Sequence, residues 1–190
     1  MIKIEVYQNY QDLNWIDHQY MSILFVMDSN QRISIHSINQ SDKTWIEEFY
    51  LQRWSSDRVV TRGELYIVPE LPGFVAWKSG IRIGLLTYHI AEGQVEIVTL
   101  DSLETNQGVG TALISETLSF ARSSNYRRVW LITTNDNTPA LHFYQKRGFH
   151  IAAIHQDAVA ESRKIKPEIP LHGLDGIPIR DEIELQYILT

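Results

Sequence analysis

Residues Glu96 to Thr111 read Glu-Ile-Val-Thr-Leu-Asp-Ser-Leu-Glu-Thr-Asn-Gln-Gly-Val-Gly-Thr. An apolar-rich run passes into a short polar loop, and two glycines one residue apart, Gly108 and Gly110, open a helical pattern. The order is strand, anion-binding turn, helix. The first N–H groups of a helix have no intrahelical acceptor, and the helix dipole places partial positive charge there. Glycines at such a turn let an anionic group approach the main chain closely. Two better-known phosphate loops do not fit. One needs Lys-Ser or Lys-Thr after its last glycine, where Thr111-Ala112 stands here; the other needs a third glycine at the position of Leu113.

On the upstream side, Phe74 to Trp77 and Ile83 to Ile90 read as strands, separated by a turn at Gly80. Ala91-Glu92-Gly93 closes a hairpin onto the central strand, Val95 to Leu103. Arg32 to Ile38 forms an earlier strand. Ser41-Asp42 is then expected to cap a helix whose inner stripe is Trp45, Ile46, Phe49 and Tyr50. Arg53 to Arg58 is expected as a polar connection able to meet a polar substrate. Downstream, the helix over 109–123 should turn Ala112, Leu113, Phe120 and Ala121 inward. Val129 to Ile132 is a near-continuous apolar strand, as expected when both faces are covered. Pro139 suits a first helical turn and Gly148 a C-terminal cap. Phe149 to Ile154 is the next strand, and a short helix follows over Asp157 to Lys164. The loop over 167–178 is rich in proline and glycine, and Glu182 to Leu189 alternates like a half-buried strand. The first 32 residues read as an extension with strand-like alternation at Ile2, Ile4 and Val6. It would pack on a sheet edge or on a second copy of the chain, so a homodimer is one expectation.

About thirty residues after the glycine loop comes Asn-Asp-Asn-Thr-Pro-Ala-Leu-His-Phe-Tyr-Gln-Lys-Arg-Gly-Phe, residues 135–149. Together the two stretches resemble the GNAT acyltransferases, the Gcn5-related N-acetyltransferase superfamily. Asn137, Ala140, Tyr144, Gly148 and Phe149 match its Asn-x-x-Ala-x-x-x-Tyr-x-x-x-Gly-Phe pattern, and the resemblance runs roughly from Ile33 to Leu189. It implies a single α/β (α+β) domain over 33–190, with a mixed, mostly antiparallel sheet flanked by helices. It also implies an N-acetyltransferase with acetyl-CoA as co-substrate and a small-molecule or peptide amine as acceptor. The loop Thr105 to Gly110 would cradle the CoA pyrophosphate, with Gln107, Gly108, Val109, Gly110 and Thr111 as the contacts. Main-chain groups of Leu100 and Ser102 would pair with the pantetheine chain, and Asn137 with the same arm. Where the family usually carries Gln or Arg three residues before the first glycine, this chain has Thr105, with Gln107 out of register. The cradle is therefore expected to rest on main-chain donors.

An alkylammonium of pKa about 10 must lose a proton before it attacks, and the departing thiolate must gain one. Glu96 is the first candidate base, by resemblance to the glutamate-bearing strand of histone-type members, and Asp101 competes for the role. Their opposite parity sends them to opposite faces of a regular strand, unless a β-bulge lies between them. Tyr144 is the candidate acid, with the core packing of a tyrosine between Phe143 and Phe149 as the alternative. A module that binds CoA thioesters as a sensor or scaffold without turnover stands beside the enzyme, as does transfer of a longer acyl group.

Composition narrows the classes. At 190 residues, with 44% hydrophobic and 21% charged, the chain suits one globular domain. A net charge of −6 disfavours nucleic acid as a partner. The absence of cysteine excludes disulfides and a cysteine acyl-enzyme, leaving direct attack. No apolar run approaches the ~20 residues of a membrane span, so the expectation is a cytoplasmic protein without a membrane partner. His142, His150 and His155 lack a ligand spacing, and no metal is expected.

Overall fold

The computed structural model describes residues 32–104 and 106–190. The strand-like alternation anticipated before Arg32, and Thr105 in the loop, lie outside the described residues. Nine strands and four α-helices follow one another: β1 (Ser34–Ser37), α1 (Lys43–Trp54), β2 (Arg58–Thr61), β3 (Glu64–Ile67), β4 (Gly73–Lys78), β5 (Ile81–Ala91), β6 (Gln94–Ser102), α2 (Val109–Ser123), β7 (Arg128–Thr134), α3 (Thr138–Gln145), β8 (His150–His155), α4 (Ala158–Ile165) and β9 (Glu182–Ile188). Seven strands form one sheet in the order β1-β4-β5-β6-β7-β9-β8, and β2 and β3 form a separate two-stranded ribbon. Only β6 and β7 run parallel, so the sheet is mixed and mostly antiparallel, as anticipated.

The helices divide between the two faces. Leu113, Ile114, Leu118 and Ala121 of α2 pack with Leu86, Ile97, Leu100 and Leu131 of the sheet; Ile46 and Tyr50 of α1 pack with Val75 and Leu85 on the other face. On α2 the inner stripe is wider than expected. Ala112 and Phe120 are only half-buried, while Ile114, Thr117 and Leu118 are buried. The cap ahead of α1 is also corrected. Asn39 is the N-cap, of a one-turn 3-10 helix over Gln40–Asp42; Asp42 completes the capping box by accepting from Asn39 N–H (3.0 Å), and its Oδ1 also lies 2.9 Å from Arg82 Nη2.

The β2–β3 ribbon was not expected. Its two-residue turn is Arg62-Gly63, both with positive φ (49° and 76°), the backbone of a primed hairpin turn. Arginine is rarely chosen there, so the usual Asn-Gly signal is missing. The final strand departs too. Glu182 and Glu184 were expected on a solvated face, yet both are buried, because β9 lies between β7 and β8 rather than at an edge. Glu182 accepts from Ser162 Oγ (2.9 Å) and from the backbone N–H of Arg62 (2.9 Å). Glu184 pairs with Arg128, and its Oε2 lies 3.0 Å from His155 Nε2.

Two irregularities in β6 set up the site. Its parallel pairing with β7 ends at Ile97↔Leu131, after which the two strands diverge while β7 stays paired with β9. Opposite β5, Thr87 pairs with Thr99 but Tyr88 with Ile97, so Val98 is the extra residue of a β-bulge. The bulge undoes the parity argument. Glu96 pairs with His89 and Asp101 with Leu85, positions of equal parity on β5, so the two carboxylates share the α1 face of the sheet.

Candidate active site

The splay between β6 and β7 opens onto two clefts. The larger, about 920 Å³, is lined by the end of β6, the N-terminus of α2 and one side of α3. The smaller, about 360 Å³, is lined by α1, β2, α4 and the loop after α4. Arg53, Leu100 and Asp101 border both.

In the larger cleft the α2 N-terminus is bare. Gly108, at φ 80°, is its N-cap and offers no side chain, and the first intrahelical donor is Ala112 N–H, 2.9 Å from Gly108 O. The preceding amides of Val109, Gly110 and Thr111 are thus available to an anion. A Cβ on Gly108 would meet no atom of the described residues within 4 Å, and the glycine itself lines the cleft. Gly110 serves another purpose. A Cβ there would sit 2.9 Å from Phe143 Cζ, so this glycine lets α2 and α3 approach. Gly110→Ala is expected to cost about 1–3 kcal/mol through overpacking, measurable by urea denaturation.

Gln107 is exposed and is not among the residues lining the cleft, whereas Thr111 is held within it by Arg147, whose Nε lies 3.0 Å from Thr111 Oγ1. The Arg147 guanidinium also lies 3.5 Å from the centroid of the Phe143 ring. Arg147 and Lys146 bring positive charge to the same wall. Sequence reading treated Arg147 only as part of a helix end. Its position three residues after Tyr144, on the same helical side, was the available signal.

The β5 ladder fixes the main-chain direction at Leu100 and Ser102. Leu103 N–H donates to Ile83 O (2.9 Å), so alternation along the ladder turns the N–H and C=O of Leu100 and Ser102 away from β5, toward the splay. Asn137 is buried, and its Oδ1 accepts from Ala140 N–H at 3.2 Å, capping α3; Thr138, Pro139 and Ala140 are the cleft-lining residues there.

Tyr144 lines the larger cleft and is 1% exposed, with its hydroxyl the buried side-chain polar atom that has no hydrogen-bond partner among the described residues. Burial raises its pKa above the ordinary phenol value, and the negative charge of Asp101 raises it further. The group therefore keeps its proton at neutral pH. Asp101 is 7% exposed. Tyr50 donates to its Oδ2 at 2.6 Å, and Arg53 Nε lies 3.7 Å from Oδ1. Desolvation raises the Asp101 pKa, against the lowering effect of Tyr50 and Arg53. Tyr50, Arg53 and Trp54 occupy one face of α1, a spacing visible in the sequence but read there only as a core stripe and a polar connection.

Glu96 is buried and lines neither cleft. Its Oε1 accepts from Thr61 Oγ1 (3.1 Å) and its Oε2 from Tyr66 hydroxyl (2.9 Å). Arg180 and Asp181 tie the loop after α4 to the start of that helix: Arg180 Nη2 donates to Asp181 Oδ2 (2.9 Å), and Asp157 N–H donates to Asp181 Oδ1 (2.9 Å). Among the described residues, no group of three His, Asp or Glu side chains is placed to hold a metal ion, and no helix is long and apolar enough to cross a membrane.

An uncharacterised Bacillus subtilis protein, YdhI, is 41% identical over 152 residues, which cover 80% of this chain and 95% of the relative. An IAA acetyltransferase from Bacillus cereus superposes with a TM-score of 0.65 at 24% identity, covering 83% of this chain and all of that one (100%). A Bacillus subtilis acetyltransferase solved in complex with CoA superposes with a TM-score of 0.59 at 21% identity, covering 84% and 99% of the two chains. The model of the acetyltransferase (GNAT) family matches residues 33–149, and the chain belongs to that family.

Proposed function

We propose that the protein transfers an acetyl group from acetyl-CoA to an amine by direct attack, with Asp101 as the base and Tyr144 as the acid. The observation that carries this reading is the pair of clefts meeting at Asp101, one of them ending in a bare helix N-terminus and a buried, unpartnered tyrosine hydroxyl. The amides of residues 109–111 and the cations of Arg147 and Lys146 suit a diphosphate. The CoA complex of the structural neighbour supports CoA as the carrier.

Acetyl-CoA supplies an activated acyl carbon and a thiolate leaving group. Asp101 accepts the proton released as the ammonium becomes an amine. The amine attacks and the N–C bond forms; as the C–S bond breaks Tyr144 delivers its phenolic proton to the sulfur, and the second proton that the nitrogen sheds on becoming an amide restores the phenol. A main-chain N–H at Leu100, turned into the splay, is the donor placed to polarise the acyl carbonyl. The smaller cleft receives the amine, which explains why Asp101 borders both spaces while Tyr144 borders only the larger.

Between the two carboxylates, position favours Asp101. Both oxygens of Glu96 are engaged by the β2–β3 ribbon, whereas Asp101 faces the junction of the clefts. A base works deprotonated, so turnover should fall as pH drops through the raised pKa of Asp101. Asp101→Asn should remove that limb and lower kcat about 10²-fold.

The direct test is release of free thiol from acetyl-CoA with spermidine, phenylethylamine, leucine and a peptide bearing a free N-terminus. Release with one or more supports the enzyme. Tight CoA binding without release from any of them favours a non-catalytic CoA-binding module. Competition between acetyl-CoA and longer acyl-CoA donors fixes the acyl group.

A further inference from the structure

We propose that Glu96 is a positioning residue that fastens the β2–β3 ribbon over the acceptor cleft; this rests on assigning the smaller cleft to the amine. Among the described residues the ribbon has no ladder to the seven-stranded sheet, so its placement depends on other contacts. Glu96 provides one to each of its strands. Oε1 holds Thr61 at the end of β2, and Oε2 holds Tyr66 in β3. One buried carboxylate thereby bridges both strands to the centre of β6.

The neighbouring contacts reinforce it. At the ribbon's turn, Arg62 N–H donates to Glu182, its guanidinium lies 3.5 Å from Glu184, and it sits over the Trp130 ring at 6.0 Å. His89 packs its ring 5.4 Å from that of Tyr66. At the other end, Lys166 Nζ donates to Arg58 O at 2.6 Å. The sheet thus offers three carboxylates along one face, Glu96, Glu182 and Glu184, and the ribbon meets all three. The same ribbon places Arg58, Val59 and Val60 in the wall of the smaller cleft. A shift of the ribbon changes the width of that cleft and leaves the donor cleft alone, because no ribbon residue lines the latter.

A base and an anchor respond differently to substitution. Glu96→Gln keeps one accepting oxygen for Thr61 and gains an amide that can donate to the Tyr66 oxygen, so it preserves the fastening but removes the base. Tyr66→Phe with Thr61→Val leaves the carboxylate intact and removes both of its partners. Hydrogen bonds to a carboxylate are individually worth enough that losing two should raise the acceptor KM about tenfold or more. In the double variant, kcat should stay within about threefold, and CoA affinity should not change. Glu96→Gln should keep kcat within about threefold and retain the wild-type pH profile, measured with the best acceptor of the panel. A collapse of kcat in Glu96→Gln at unchanged acceptor KM would make Glu96 the base and overturn the proposal.

A second measurement needs no acceptor. Hydrogen exchange of the amides over residues 58–67 should accelerate about tenfold in the Tyr66→Phe, Thr61→Val variant, with Ile97 and Leu131 unaffected. Unchanged exchange in the ribbon would sink the anchor. If no panel amine is acetylated by the wild type, the acyl-transfer reading fails while the exchange result still decides the role of Glu96.

Discussion

Tyr144→Phe is expected to lower kcat about 10²-fold or more, leave CoA affinity unchanged, and leave the protein no less stable. The last part is the unusual one. Removing a buried hydroxyl normally breaks a hydrogen bond, but this one has no partner among the described residues. An unsatisfied buried donor costs about 1–3 kcal/mol, so its removal should be neutral or stabilising. For a chain of this length, 1 kcal/mol corresponds to roughly 2–4 °C in Tm. The ring itself is kept, and with it the edge contacts to Phe143 and Phe149 (centroids at 5.2 and 5.6 Å). A tyrosine with a purely packing role predicts the same stability and full activity. Stopped-assay turnover, CoA titration by calorimetry and a melting curve on one variant separate the two; equal turnover removes Tyr144 as the acid.

Gly108→Val is expected to weaken CoA binding at least about 100-fold, as a direct block of a helix N-terminal anion site. Two effects combine. The residue has φ 80°, where a β-branched side chain is strained, and it lines the larger cleft beside Val109, Gly110 and Thr111. Strain alone can be subtracted. Gly80 has φ 77° and equally open surroundings, but lies in the β4–β5 turn and lines neither cleft. Gly80→Val should therefore lose similar stability and keep full CoA affinity. Calorimetric titration of both variants is the check, and equal affinities for the two would dismiss the helix N-terminus as the diphosphate site.

The sheet, its helices and the donor loop were legible in sequence because each rests on local rules. An apolar-rich run marks Ile83 to Ile90, a glycine pair marks the start of α2, and Pro139 with Gly148 brackets α3. What escaped depends on partners distant in sequence. Glu182 and Glu184 look like a solvated face until β8 pairs on the far side of β9 and supplies His155, while α4 supplies Ser162. The ribbon at 58–67 hides because its turn uses Arg62 where asparagine would announce it. The bulge at Val98 leaves no compositional trace, yet it decides which side of the sheet Asp101 occupies. In the site, Tyr144 and the glycine loop were found from motif spacing. Arg147 and Tyr50 were found only when folding brought α3 beside α2 and α1 beside β6.

The divergence of β6 from β7 has a kinetic corollary. On the proposed assignment of the two clefts, thioester carrier and nucleophile enter through separate doorways, so neither obstructs the other's arrival or exit. Such an arrangement favours a ternary complex assembled in either order. It also means that a single compound joining both halves would have to be threaded through the gap itself, past Leu100.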